Sequence, residues 1–257
     1  MSIAPQAWLL EAIAGDSVNI NILLGSGANP ETYEPSINTI KTASQSDAMM
    51  LSGALGFESH LVERLKSNNP ELTVIDTSHG IEPIYGTHSH GNHTHSNDIP
   101  DPHTWTSVRN ARTIAGNMLA ALIEIDPDNK YYYQANAAVL DSRLDSLDRS
   151  IKSRLDSLQV KSFLVWHPSL SYFARDYGLE QISIGNEGRE ATIGGLRSTI
   201  DHAAGSGTCV LFIQADFDSR QAETISRETS ADVVTINPLD HDWESQINII
   251  TDALNRH

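Results

Sequence analysis

The sequence is short of cysteine, of positive charge and of long apolar runs. Lys and Arg together number 17 against 33 Asp and Glu, a formal net charge of −16. A nucleic-acid binder shows a basic patch or stripe, and none is visible, so no nucleic-acid partner is expected. The acidic balance is compatible with attracting cations. The single cysteine, Cys209, has no partner for a disulfide and sits in the run CVLFI, where it reads as a buried core thiol. Cysteine-based zinc centres are thereby excluded, and any metal here must use His and carboxylates. No stretch of about 18 apolar residues exists, so no membrane-spanning helix is expected. No signal-peptide pattern is read in the sequence, and Met1-Ser2-Ile3 enters the fold abruptly, as is expected of the mature part of an exported chain. No H-E-x-x-H element is present, which removes the commonest zinc-hydrolase signature.

What is present is a globular composition, with 257 residues, 39% hydrophobic and 19% charged, enough for two small lobes or one large domain. Residues 5–14 (PQAWLLEAIA) read as a helix with Pro5 in its first turn and Gly15 as its stop. Residues 18–24 (VNINILL) alternate and read as a strand. A helix over 36–45, a strand over 47–52, a helix over 58–66 and a strand over 72–75 follow. This βαβα order implies a mostly parallel sheet covered by helices. A helix over 107–125 comes next, and Asp126-Pro127 restarts the chain. From there to residue 158 no Gly or Pro intervenes, and Leu140, Leu144, Leu147, Ile151, Leu155 and Leu158 step by three and four. That is one long helix, a strut between two lobes.

The second half repeats the pattern, with strands over 162–166, 179–184, 209–213 and 233–236. Helices lie over 170–176, 192–204, 218–229 and 243–254, with Asp218 and Gln221 as a capping box. The expected fold is α/β: two lobes, each a mostly parallel sheet flanked by helices, joined by one long rigid helix. The boundaries are 1–127, 128–158 and 159–257.

Within the first lobe lies a long loop, 79–103, crowded with His79, His88, His90, His93, His95 and His103. It shows neither helical nor strand period. Neutral imidazole is the commonest side-chain ligand for zinc, so the stretch reads as metal-capturing. The plain alternative is a tag or a solvated loop, but a tag is terminal and uninterrupted. His88, His90, His93 and His95 form a secondary loop site in this reading. Ligands of open α/β sheets sit beyond the carboxyl ends of strands. Four residues stand there or at a loop's end: Glu31, His103, His167 and Asn237. His167 directly follows the apolar SFLVW, with Pro168 fixing the turn. Glu31 by itself is equally a solvated charge. Asn237 by itself reads as a turn former, as Asx residues after strands commonly are.

Four blocks in order resemble the substrate-binding proteins of zinc and manganese ABC importers, the ZnuA/TroA-like family. They are SIAPQAWLLEAIAGDSVNINILLGSGANPETYEPS, DPHTWTSVRNARTIAGNMLAALIEIDPDN, FLVWHPSLSYFARDYGLEQISI and VLFIQADFDSRQAETISRETSADVVTINPL. The resemblance spans nearly the whole length. It implies the helical-backbone metal-receptor fold, with the metal at the interface of the lobes, and no enzymatic activity. It places His103 and His167 at ligand positions. The family's first block usually reads D-P-H, whereas this chain has Asn29-Pro30-Glu31, so Glu31 takes the histidine position. The last block usually offers Asp, and here the residue is Asn237, a weaker donor; Asp240, His241 or Asp242 are substitutes, although capping of the last helix suits that tripeptide better. Imidazole at 167 marks the zinc type, since imidazole suits zinc while carboxylates suit harder ions. The expectation is a Zn2+ carrier that serves a membrane permease, periplasmic or lipid-anchored and monomeric. Manganese or relaxed metal choice is the alternative, and a zinc hydrolase a more distant one.

Overall fold

A computed structural model describes residues 1–25, 30, 33–90, 93–184, 193–214 and 219–256. The chain divides into two compact units, Met1–Asp145 and Ser146–His257.

The first unit opens with α1 (Ala4–Ala14), then α2 (Ile37–Ser44), β1 (Ala48–Leu51), α3 (Gly56–Asn68) and β2 (Thr73–Asp76). Ser36 caps α2, its Oγ accepting from the Thr39 N–H at 3.1 Å, which satisfies one of the unpaired donors of a first helical turn. β1 and β2 pair in parallel, Ala48 opposite Thr73 and Leu51 opposite Asp76. Ser2 lies along β1, its N–H reaching Met50 O at 3.2 Å, and Leu24 N–H reaches Ser2 O at 3.0 Å. The sheet thus continues as short segments. Where the sequence predicts a strand over 18–24, the structure has only a bridge between Ile3 and Leu24. The alternation is real, but the neighbouring segment is too short to pair with the rest.

The His-rich stretch also departs from the sequence reading. It is a hairpin of β3 (Tyr85–His90) and β4 (His93–Pro100), antiparallel, with His88 opposite His95 and His90 opposite His93. A hairpin ladder is made by backbone hydrogen bonds and does not need the apolar alternation by which strands are recognised. The signal that was there is the dipeptide Gly91-Asn92 between the two runs, a type favoured in two-residue hairpin connections.

α4 (Val108–Ile125) follows, capped by Ser107, whose Oγ accepts from Asn110 N–H at 3.0 Å. A 3-10 turn over Pro127–Asn129 then separates Asp126 from α5 (Lys130–Leu155). Asp126 stays outside the helix because its carboxylate accepts from the Asn129 amide at 2.8 Å and from Tyr133 Oη at 2.5 Å. α5 has 26 residues, roughly 39 Å at 1.5 Å per residue. Leu140, Leu144, Leu147, Ile151 and Leu155 are all buried along it, so the stripe that predicted the helix is its packing face. The core of the first unit gathers Ile3, Leu9, Ile13, Leu24, Met49, Leu61, Trp105 and Met118.

The second unit continues with β5 (Ser162–Val165), α6 (Ser171–Tyr177), β6 (Glu180–Ser183), α7 (Ile193–Gly205), β7 (Val210–Gln214), α8 (Ser219–Thr229), β8 (Asp232–Ile236) and α9 (Trp243–Leu254). The strands form one four-stranded sheet in the order β6-β5-β7-β8, all parallel. β5 and β7 are central, and SFLV and VLFI are buried throughout, as strands covered on both faces must be. Phe163 and Phe212 meet edge to face across them, 5.6 Å between centroids. Gly178 ends α6 in the left-handed conformation, φ 64°, which a side chain would disfavour. Cys209 is half-exposed rather than in the core. It stops one residue short of β7, and its thiol points to Gly207 O at 3.0 Å. Asp218 lies outside the described residues. No helix among the described residues is long and apolar enough to cross a membrane.

Candidate metal centre

Among the described candidates, His103 is the most deeply buried. The chain leaves β4 at Pro100, and Asp101 N–H donates to Ile84 O at 2.7 Å, one more rung beneath the hairpin. Asp101 Oδ1 then accepts twice, from His103 N–H at 2.9 Å and from the His103 ring nitrogen Nδ1 at 2.8 Å. A carboxylate only accepts, so this bond requires a proton on Nδ1. His103 is only 5% exposed. Beyond it, Thr106 Oγ1 donates to His103 O at 2.9 Å, and the Asn110 amide to Thr104 O at 3.0 Å. The Trp105 ring lies 5.2 Å from the imidazole, tilted by 55°. The turn is therefore anchored from both sides.

Glu31 lies outside the described residues. Close to it in sequence, Tyr33 Oη donates to Leu23 O at 2.8 Å, which ties Tyr33 to the segment that bridges Ile3 at Leu24. Burial pushes the Tyr33 hydroxyl above its ordinary pKa, with the Thr39 hydroxyl working against the shift.

A neighbouring strand end is held by a buried carboxylate. Glu58, in the first turn of α3, accepts from Ser52 N–H at 2.6 Å, Gly53 N–H at 2.9 Å and Leu55 N–H at 3.3 Å, and from Ser2 Oγ. Burial raises its pKa, and the four donors oppose that rise. Gly53 has φ 105°, and a Cβ there would lie 2.0 Å from Ser78 Oγ, so glycine is required where the loops after β1 and β2 meet.

His167 stands half-buried two residues beyond β5. Trp166 N–H still pairs with Phe212 O at 3.0 Å, and His167 O accepts from Ser169 N–H at 2.7 Å. Asn237 is the first residue after β8. Its N–H donates to Gln246 Oε1 at 2.9 Å, its Oδ1 accepts from Leu239 N–H at 3.1 Å, and its Nδ2 donates to Asp240 Oδ2 at 3.3 Å. This is an Asx turn, and the oxygen that would serve a metal already closes it. Asp242 caps α9, accepting from Ser245 N–H at 3.3 Å. β5 and β8 are two strands apart in one sheet, so their ends are separated by roughly 10 Å.

Among the described residues, no three His, Cys, Asp or Glu side chains come together as a metal-holding group. His88, His90, His93 and His95 lie on strands whose register pairs them two by two. The sequence reading missed Asp101 as a partner of His103. The available signal was its spacing: an Asp two residues before a His, with Pro between, closes an Asx turn onto that His.

Two α/β units, one long helix and histidines at loop and strand ends define the element order of the ZnuA/TroA-like proteins. The family model described as "Zinc-uptake complex component A periplasmic" matches residues 1–254, and the chain belongs to that ZnuA family. The chain is similar to a crystal structure of ZnuA, with 33% identity and a TM-score of 0.89, covering 99% of this chain and 96% of that one. A ZnuA deletion mutant with zinc bound is 34% identical, with a TM-score of 0.88, covering 99% and 95%. Zinc-binding lipoprotein AdcA of Streptococcus pneumoniae strain R6 is 26% identical over 240 residues, 89% of this chain and 47% of AdcA. Manganese ABC transporter substrate-binding lipoprotein PsaA of Streptococcus anginosus is 26% identical over 237 residues, 87% of this chain and 74% of PsaA. The chain thus spans about half the length of AdcA.

Proposed function

We propose that this protein is the extracytoplasmic solute-binding component of a metal ABC importer, periplasmic or lipid-anchored, which captures zinc and delivers it to a membrane permease. It works as a monomeric carrier and not as an enzyme. The ligand set is Glu31, His103 and His167, with Asn237 as a weak fourth donor. Residues 1–127 and 159–257 act as the metal-binding lobes and 128–158 as the helical link.

The observation that carries this reading is His103 itself: a buried imidazole whose Nδ1 is held by a carboxylate. Metal-ligating histidines almost always donate their second nitrogen in this way. The ZnuA relatives support zinc. Two imidazoles and one carboxylate favour it over manganese, in line with the general order of divalent affinities. The paired histidines of the hairpin, His88 with His95 and His90 with His93, supply a weaker accessory zinc site. The PsaA relative favours a second reading, a manganese carrier.

Competitive titration of untagged protein with zinc and manganese separates the two. Zinc binding tighter by orders of magnitude is expected, and equal or tighter manganese binding overturns the zinc reading. Zinc that binds only the folded state also raises the melting temperature, by an amount equivalent to about 2.7 kcal/mol at a hundredfold excess over Kd.

A further inference from the structure

We propose that Asp101 is the positioning residue for metal capture at His103: it fixes the imidazole as the Nδ1–H tautomer, so that Nε2 is the nitrogen offered to the ion. The proposal rests on the reading of His103 as a zinc ligand. Closing a turn requires only one bond, from His103 N–H to Asp101 Oδ1 at 2.9 Å. The same oxygen takes a second bond, from the ring Nδ1 at 2.8 Å, and that bond fixes the ring without being needed for the turn. Which nitrogen holds the proton is set by the hydrogen bond that the other side of the ring makes. Left to water, a neutral imidazole keeps its proton mostly on Nε2, the wrong nitrogen for this geometry.

Asp101 can hold the ring because it is itself held. Its N–H bonds Ile84 O at 2.7 Å, directly below the Tyr85–Pro100 pair at the foot of the hairpin. Pro102 fixes φ between the acceptor and the histidine. The Asp101 and His103 side chains are 11% and 6% exposed, so water competes little for the bond. A carboxylate on Nδ1 also raises the basicity of Nε2, which strengthens a bond to zinc.

The test uses the full chain with Asp101→Ala and Asp101→Asn, measuring apo melting, the 15N shifts of the His103 ring and zinc affinity against a competing chelator. His103→Ala assigns the ring signals. In the wild type, His103 is expected to show Nδ1–H. In Asp101→Ala the signal moves toward Nε2–H and zinc affinity falls by about 10- to 100-fold, the usual cost of losing an outer-shell partner. Asn retains an Oδ1 that accepts both bonds, so Asp101→Asn restores the tautomer and loses less than about tenfold. Wild-type His103 with its proton on Nε2 overturns the proposal, even if the Ala variant fails to fold. So does an Asp101→Ala variant that binds zinc as tightly as the wild type. A wild type that shows Nδ1–H but takes up no zinc removes the zinc reading and leaves Asp101's hold on the ring standing.

Discussion

The two units hold the turns that carry their candidate residues by different chemistry. In the first, carboxylates do it: Glu58 gathers three backbone N–H groups beyond β1, and Asp101 takes both the backbone and the ring of His103. In the second, neutral amides do it. Gln181 Oε1 accepts from Leu170 N–H at 2.7 Å, three residues past His167, and Gln246 Oε1 accepts from Asn237 N–H. Asn237 Oδ1 then closes its own turn. Both chemistries satisfy backbone donors, which is what a buried turn demands. They differ in what else they do. A carboxylate carries charge, so it responds to pH and polarises its partner; an amide oxygen accepts bonds without charge and does not titrate. Asp240, which takes the Asn237 amide, and Asp242, which caps α9, are acidic exceptions in the second unit.

Removing the strongest clamp gives the largest effect. Glu58→Ala leaves the Ser52, Gly53 and Leu55 N–H groups without their acceptor, two of them in buried residues. A buried unsatisfied group costs about 1–3 kcal/mol, so the variant should lose about 3 kcal/mol in urea unfolding; a loss under about 1 kcal/mol would show that water replaces the clamp. Glu58→Gln tests the charge. Because the folded pKa is raised, the protonated form is the one the fold favours. The contribution of Glu58 is thus fully present below the ordinary glutamate range and is lost as pH rises through the raised folded value. The stability difference between wild type and Glu58→Gln should shrink over that window and then level off. A difference that grows with pH contradicts this sign. Gln181→Ala in the second unit should show no such pH dependence.

The same contrast explains what could be read from sequence. Capping and apolar period are local, so α4 and α9 begin where Ser107 and Asp242 put them, and β5 and β7 lie where SFLVW and CVLFI do. Three features depend on partners that are distant in sequence or on backbone alone. Residues 18–24 have a strand's alternation, but the segment beside them is the short run Met1–Ile3. The hairpin has a ladder without an apolar face. Cys209 belongs to an apolar run yet sits half-exposed at its start. At the site, residue type and position at a strand end point to His103 and His167. What holds each turn, Asp101 on His103 itself or Gln181 on Leu170 three residues past His167, depends on turn geometry that residue type does not encode.

Putting a carboxylate into the amide-held turn is the next step down in size. Asn237→Asp keeps an oxygen for Leu239 N–H but loses the Nδ2 bond and faces Asp240 Oδ2 across what was 3.3 Å. Like charges at that range repel, so the apo melting temperature should fall. Zinc relieves the repulsion and gains a charged donor, so affinity should rise by roughly tenfold, or about 1.4 kcal/mol. The zinc-induced rise in melting temperature should therefore exceed that of the wild type. A lower melting temperature with unchanged zinc affinity would reduce Asn237 to a turn residue and leave the site with three donors.

The smallest effect on the tight site should come from the largest deletion. Removing 87–96 takes away His88, His90, His93 and His95 with their cross-strand pairs. It spares the foot of the hairpin, where Tyr85 opposes Pro100 and Asp101 N–H bonds Ile84 O. The carboxylate that holds His103 therefore keeps its own anchor. Paired strands bring opposite side chains to about 5 Å, close enough for two imidazoles to share an ion, yet two ligands bind more weakly than a full set. Calorimetry of the intact protein should show one tight zinc and a weaker component, and the deletion should remove only the latter. The tight Kd should change by less than about threefold, under about 0.7 kcal/mol. Loss of the tight site in the deletion would mean that the foot of the hairpin does not hold without its upper rungs, and that Asp101 is anchored by the hairpin as a whole.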